Sequence, residues 1–256
     1  MRTGLVDGEN VSEGGIFAEA TVSIRRRDDL SAELSSTWQS ASAAWLGSGA
    51  PWRTFRWHQG QKNYSGTYRS ATEADHVVYE SRLELTRLLY ADYDPAVRHI
   101  VAQPFLLKTK VDGRLRRHVP DFLLDTTSGL VIVDVKPLAK LDDPKVDFAL
   151  RWTRQLVEHR GWRYEVWTEP PEPELANIRF LAGHLHSRCH DAALLETVRE
   201  CAKSEMSLGS ILALQSSAPP AVVRASIFYL LWEHYLTVDI EHPLCTSSAV
   251  RKESKW

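Results

Sequence analysis

Two apolar runs in the middle of the chain, Arg116-Arg-His-Val-Pro-Asp-Phe-Leu-Leu124 and Leu130-Val-Ile-Val-Asp-Val-Lys-Pro137, flank the polar stretch Asp125-Thr-Thr-Ser-Gly129. Runs rich in Val, Leu, Ile and Phe around a Ser-Gly connection predict two strands joined by a hairpin. Side chains alternate across a strand, so Val131, Val133 and Val135 share one face, and Asp134 and Lys136 fall on the other beside Ile132. Upstream, Ser70-Ala-Thr-Glu73 has capping-box spacing and predicts a helix reaching about Ala91. Val78, Leu85 and Leu89 form its apolar line, with Val77 and Leu88 beside it. Asp92-Tyr-Asp-Pro95 ends that helix. Val97 to Thr109 predicts a strand bent at Gln103-Pro104, and Asp112-Gly113 predicts a two-residue hairpin. Downstream, Asp142-Asp-Pro-Lys145 caps a helix running to about Arg160 through Phe148, Trp152 and Leu156, and Gly161 stops it. Trp162 to Thr168 alternates as a further strand.

The two ends of the chain differ from this centre. Residues 1–50 are polar, with a predicted helix from Asp29 to Trp45 and a linker at Gly47-Ser-Gly-Ala-Pro51, and form an expected N-terminal extension. Trp52 to Tyr68 interleaves aromatic with basic residues around Gly60 and Gly66, which predicts short strands. Glu169-Pro-Pro-Glu-Pro-Glu174 marks a boundary. Beyond it, Leu175 to about Ala202, Met206 to Leu214 and Ala221 to Tyr235 are predicted helices, and Thr237-Val-Asp-Ile240 is one arm of a small wing. That order follows the winged-helix plan. The expected division is 1–50, an α/β core over 51–170, and a small, mainly helical winged-helix-like domain over 171–256. Removing everything after Glu174 is expected to leave the core folded. The last predicted helix is apolar with Arg224 as its one cation, which suits protein docking better than major-groove reading.

Composition narrows the class. Hydrophobic residues at 43% and charged residues at 25% match ordinary globular proteins. No apolar run is long enough to cross a bilayer, no leader is recognisable, and three scattered cysteines fit a reducing compartment, so a cytoplasmic protein is expected. The net charge of −2 is not that of a general nucleic-acid binder. Its distribution is uneven: residues 52–140 carry fourteen Lys/Arg against ten Asp/Glu, and both flanks carry more acids than bases. The basic segment is the one that holds the hairpin.

Asp134 and Lys136 lie in an apolar run, where charges need partners or a metal. With Pro120-Asp121 on the neighbouring strand they make the pattern Pro-Asp … Asp-x-Lys. Phosphodiester hydrolysis uses a divalent metal to polarise phosphate and activate water. Mg²⁺ takes hard oxygen ligands and keeps several waters, so two or three carboxylates suffice. A lysine beside them can orient the water or neutralise developing charge. Glu84, between Val77 and Leu88 on the predicted helix, is placed to face the sheet as a third ligand; an exposed Glu84–Arg87 pair is the other reading. Glu80, one turn earlier, is the fallback. Candidate metal ligands are therefore Glu84, Asp121 and Asp134, with Lys136 as a catalytic partner and Mg²⁺ or Mn²⁺ as cofactor. Arg114, Arg116, Arg117, His118, Lys62 and Arg69 are candidate DNA contacts. A surface ion pair between Asp134 and Lys136 is the plain structural alternative. His184, His186, Cys189 and His190 lack zinc-ligand spacing and read as surface residues.

Tyr79-Glu-Ser-Arg-Leu-Glu-Leu85, Asp94-Pro95, Gln103-Pro104, Val119-Pro-Asp-Phe-Leu123 and Val133-Asp-Val-Lys-Pro137 occur in an order that resembles TnsA-type endonucleases, of the restriction-endonuclease-like PD-(D/E)xK superfamily. The resemblance spans roughly Trp52 to Thr168. It implies a mixed central sheet flanked by helices, with Glu84, Asp121 and Lys136 serving the metal site. The best-known member has glutamine where this chain has Asp134, which restores the wider nuclease pattern. The implied activity is nicking of double-stranded DNA at transposon ends, on the strand not joined to the target. The implied partners are an RNase-H-like transposase subunit and an ATP-dependent regulator. The alternatives are a stand-alone restriction or repair nuclease of the same fold, and a non-catalytic DNA-binding or scaffold protein.

Overall fold

The computed structural model describes residues 17, 19–53, 64–185, 191–203 and 205–253. The N-terminal stretch expected to be extension and linker contributes sheet. Strands β1 (Thr21–Arg25) and β2 (Glu33–Thr37) pair antiparallel, and only the five-residue helix α1 (Ala43–Gly47) follows them. The helix predicted over Asp29–Trp45 is thus corrected. Leu34-Ser-Ser-Thr37 is poor in helix formers, and Ser35 pairs its hydroxyl with that of Ser23 at 2.8 Å across the ladder. Trp38 then enters the core, with its indole N–H donating to the carbonyl of Leu156 at 2.9 Å.

The helix predicted from Ser70 is also corrected. The capping motif forms, with the Glu73 N–H donating to Ser70 Oγ at 3.1 Å, but it closes only a turn. The chain goes on from strand β3 (Gly66–Arg69) through that turn to strand β4 (His76–Tyr79), and Val77 and Val78 lie on the latter. The cause sits across the fold. Buried Asp92 accepts from Tyr68 OH, Ser70 Oγ and the N–H groups of Ala71 and Thr72 at 2.6–2.9 Å, so the turn's donors are satisfied without a helix. The helix itself, α2 (Arg82–Tyr93), begins at a second capping box, Ser81-Arg-Leu-Glu84. Ser81 Oγ accepts from the Glu84 N–H at 3.1 Å, and Glu84 accepts in return from Ser81 Oγ and the Glu80 N–H.

Strands β5 (Val97–Ala102), β6 (Leu106–Val111), β7 (Arg114–His118) and β8 (Phe122–Thr126) form one long two-stranded ribbon that bends halfway. Its tip is the hairpin at Asp112-Gly113, both with positive φ, as the sequence predicts. The tip half joins the first sheet, of order β2-β1-β6-β7; the base half lies in a second sheet, β10-β9-β8-β5, with β9 (Gly129–Val135) and β10 (Arg163–Trp167). The single strand expected over 116–124 is therefore two, because Pro120 lacks the N–H a ladder needs, as does Pro104 opposite. At the bend the Gln103 N–H donates to the carbonyl of Asp121 at 2.8 Å.

The second sheet is mixed. β8 runs antiparallel to β9, and β10 runs parallel to it. Helix α3 (Pro144–His159), capped by Asp143, makes the crossover. The alternation on β9 holds: Val131, Val133 and Val135 pack with Leu88 and Ala91 of α2, and Ile132 packs on the other face with Trp152, Leu156 and Val157 of α3. Helices thus cover both faces.

The described residues from 171 to 253 include helices α4 (Glu172–Ala182), α5 (Ala192–Cys201), α6 (Leu208–Leu212) and α7 (Pro220–Trp232). Strands β11 (Glu205–Ser207), β12 (Leu236–Val238) and β13 (Ala249–Lys252) make a sheet of order β11-β13-β12. The apolar side of α7 fills this core through Ile227, Leu230, Leu231 and Trp232, so its hydrophobicity is used internally. The same core takes in Leu89 of α2 and abuts Tyr90 and Tyr93. The nuclease-like part and the C-terminal part thus share α2. Among the described residues no helix is long and apolar enough to cross a membrane.

Three outcomes follow for stability. Asp92→Ala leaves several donors without an acceptor and should lower the unfolding free energy in urea by about 3 kcal/mol. Ser81→Ala, which removes the N-cap of α2, should lower it by about 1 kcal/mol. A chain ended after Glu174 should melt at a lower temperature than the full chain by circular dichroism, because Leu89, Tyr90 and Tyr93 lose their cover.

Candidate active site

The end of β9 and the first turns of α2 and α3 border a cleft of about 380 Å³, lined among others by Glu84, His118, Asp121, Lys136 and Lys145. Each side chain arrives for a local reason. Glu84 is the third residue of α2 and is pinned by its own capping box: Oε1 accepts from Ser81 Oγ at 3.0 Å and Oε2 from the Glu80 N–H at 2.7 Å. Asp121 follows Pro120 at the ribbon's bend. Its N–H donates to the Val133 carbonyl at 3.0 Å, and its Oδ2 accepts from the Val135 N–H at 2.7 Å. Lys136 follows β9, and its ammonium donates to Asp121 Oδ2 at 3.2 Å and to the Val135 carbonyl at 3.0 Å.

Asp134 stands behind these groups. It is 0% exposed and does not line the cleft. His118 Nε2 lies 2.9 and 2.8 Å from its two oxygens, Tyr164 donates its hydroxyl to Oδ2, and Lys136 Nζ is 4.0 Å from Oδ1. Among the described residues, no three His, Cys, Asp or Glu side chains are grouped closely enough to hold a metal together. The sequence-predicted trio is thus divided, with Glu84 and Asp121 on the cleft and Asp134 one layer in. Alternation is the cause: Glu84 comes from the helix covering Val133 and Val135, and Asp134 faces the other way.

Burial and like charge set the electrostatics. Burial, and then the neighbouring Asp121 charge, push the Glu84 carboxyl up to about 7. Burial also raises Asp121, with the Asp134 charge adding to it and Lys136 opposing. Full burial would raise Asp134 too, but His118, Lys136 and the Tyr164 hydroxyl outweigh it and hold this carboxyl below its ordinary value. Burial alone would lower Lys136; Asp121 and Asp134 outweigh it and raise the ammonium.

The remaining candidates scatter. Arg114 and Arg117 are exposed on β7, the edge strand of the first sheet. Arg116 is half-buried, with its guanidinium 4.9 Å from the Phe148 ring centre. Arg69 is exposed on β3, away from the cleft lining. Lys62 lies outside the described residues, as do His186, Cys189 and His190. His118, expected on phosphate, is bound to Asp134 at the cleft wall. Glu80 precedes the helix and pairs with Arg53 at the rim. Arg87 makes a two-pronged pair with Glu165 at 3.0 and 3.1 Å, so the Glu84–Arg87 alternative does not form. Sequence reading gives Tyr164 no role, takes Lys145 for a solvated helix charge rather than a DNA contact, and places Arg53 only within the basic, aromatic stretch from Trp52 to Tyr68. Tyr164 carries no local signal beyond the alternation of Trp162 to Thr168, and only folding brings its hydroxyl to Asp134.

Residues 94–169 match the family model described as "TnsA-like endonuclease N terminal". The matched stretch, well under half of the chain, takes in Asp121, Asp134 and Lys136 and begins after Glu84. A search of curated proteins gave no match. From the bent ribbon through the Asp-x-Lys strand to β10, the chain is similar to the N-terminal domain of TnsA-like endonucleases, and that match supports a nuclease of the TnsA type.

Proposed function

We propose that this chain is a metal-dependent DNA endonuclease that nicks the non-transferred strand at transposon ends, as one subunit of a cut-and-paste transposase. The observation that carries the reading is the meeting of Glu84, Asp121 and Lys136 around one cleft at the end of the mixed sheet. Two buried carboxylates facing one cleft are a like-charge pair, and their donors are hard oxygens, so the residues fit Mg²⁺ or Mn²⁺ with waters completing the shell. Asp121 and Glu84 would hold the ion. Such an ion, when bound, polarises phosphate and lowers the pKa of a water.

The chain's own residues do the rest. Asp121 is fixed by two backbone hydrogen bonds and one lysine, so its carboxylate keeps one direction. Glu84 keeps a second lone pair on each oxygen beyond the one its capping box uses. Lys136 brings a positive charge to where a phosphate would approach, and Lys145 extends that charge along the rim, where Arg53 is paired with Glu80. Arg114 and Arg117, exposed on β7, suit contact with the DNA backbone further out.

The C-terminal part suits the partner side of this role. Its order α5, β11, α6, α7, β12, β13 and its sheet order β11-β13-β12 support a winged-helix reading. With α7 buried by its own module, contacts to an RNase-H-like transposase subunit or an ATP-dependent regulator would use other surfaces of that module.

Asp121→Ala and Lys136→Ala should each reduce nicking of supercoiled plasmid in Mg²⁺ by about a thousandfold while keeping the wild-type circular dichroism spectrum. The assay should include the co-encoded transposase subunit, and a chelator should abolish nicking. Full activity in either variant removes the assignment.

A further inference from the structure

Asp134 is an unusual acid for a metal site. It is fully buried, lies on the α3 side of β9, and has both oxygens engaged: His118 Nε2 at 2.9 and 2.8 Å, and the Tyr164 hydroxyl on Oδ2. Tyr164 is itself buried on β10, opposite Ile132 in register, and His118 rests edge-on to Trp152 with ring centres 6.0 Å apart. Tyr164 is therefore held by packing, and His118 is packed on one side while bordering the cleft. What remains within reach of Asp134 is Lys136, whose ammonium lies 4.0 Å from Oδ1 and 3.2 Å from Asp121. A carboxylate that is fully buried, turned toward His118 and Tyr164 and off the cleft lining has little to offer an ion in the cleft, and more to offer a lysine that must be kept still.

We propose that Asp134 is a buried anchor, clamped by His118 and Tyr164, which positions Lys136 and the His118 ring at the cleft and leaves the cation to Asp121 and Glu84. This rests on the metal-dependent nuclease reading. It departs from the pattern Pro-Asp … Asp-x-Lys as usually interpreted, in which the second acid is itself a ligand. Tyr164 and His118 thereby become positioning residues, acting through Asp134 rather than on the ion.

The test uses the full chain, with Mn²⁺ alone as the probe. Calorimetry gives its dissociation constant, and plasmid nicking over a Mn²⁺ series, with the transposase subunit present, gives the maximal rate and the half-saturating concentration. Asp134→Asn and Tyr164→Phe should bind Mn²⁺ within about threefold of wild type and nick at least about tenfold more slowly, with half-saturation unchanged. Asp121→Asn should lose Mn²⁺ affinity by more than about tenfold. Loss of Mn²⁺ binding in Asp134→Asn as large as in Asp121→Asn would overturn the proposal, and so would tighter Mn²⁺ binding in Tyr164→Phe or wild-type nicking in both variants. Should Asp134→Asn fail to fold, Tyr164→Phe, which deletes one hydroxyl, decides the matter. Wild-type chain that neither binds Mn²⁺ nor nicks would instead remove the nuclease reading itself, and the anchor with it.

Discussion

Where the β5–β8 ribbon leaves one sheet for the other, two prolines face each other across the strands and neither can contribute an N–H to the ladder. The backbone there is held by other means. Gln103 adopts a positive φ of 46°, donates its N–H to the Asp121 carbonyl, and accepts from the N–H groups of Trp52 and Arg53 through its own carbonyl and side chain. Asp121 in turn donates to Val133 and accepts from Val135. This bend decides where the acid at the centre of the site can be. It also explains why the Pro-Asp pair behaves as a unit: the proline ends one ladder, and the aspartate fills the gap that follows.

The second constraint is that acids are concentrated where water is scarce. Glu84, Asp121 and Asp134 are all buried, and a single lysine lies among them. Each is made tolerable differently: Glu84 by backbone and hydroxyl donors of its own helix cap, Asp121 by Lys136 and a strand N–H, and Asp134 by an imidazole and a phenol. The capping box is thus both a folding element and the mount of a candidate ligand. Helix α2 has a third duty, since its far side is covered by the C-terminal helices through Leu89, Tyr90 and Tyr93. A change in how that module sits is coupled by direct packing to the helix that carries Glu84.

Much of this was legible in the sequence where local pattern and tertiary outcome agree. The faces of β9, the Asp112-Gly113 hairpin, the Asp143 cap of α3 and the Gly161 stop followed from period and turn chemistry alone. Errors arose where a distant residue settled a local choice. Ser70-Ala-Thr-Glu73 has the letters of a helix start, yet Asp92, more than a turn of chain away, consumes the turn's donors. The better box at Ser81–Glu84 was hidden inside the longer helix that the first one suggested. Of the strands before α1, β1 does alternate, with Val22 and Ile24 buried, and was legible; β2, with Leu34 as its one apolar residue, shows itself only through its pairing with β1. At the site, composition named the acids but not their layers. Only pairing across β8, β9 and β10 shows that Asp134 faces a tyrosine and a histidine rather than open space.

The most direct measurement is the anomalous scattering of crystals of the full chain grown with Mn²⁺. The expected peak lies between the carboxylates of Glu84 and Asp121, with Lys136 close by and Asp134 still held by His118 and Tyr164. A peak coordinated by Asp134, or none in the cleft at a Mn²⁺ concentration that supports nicking, would contradict it.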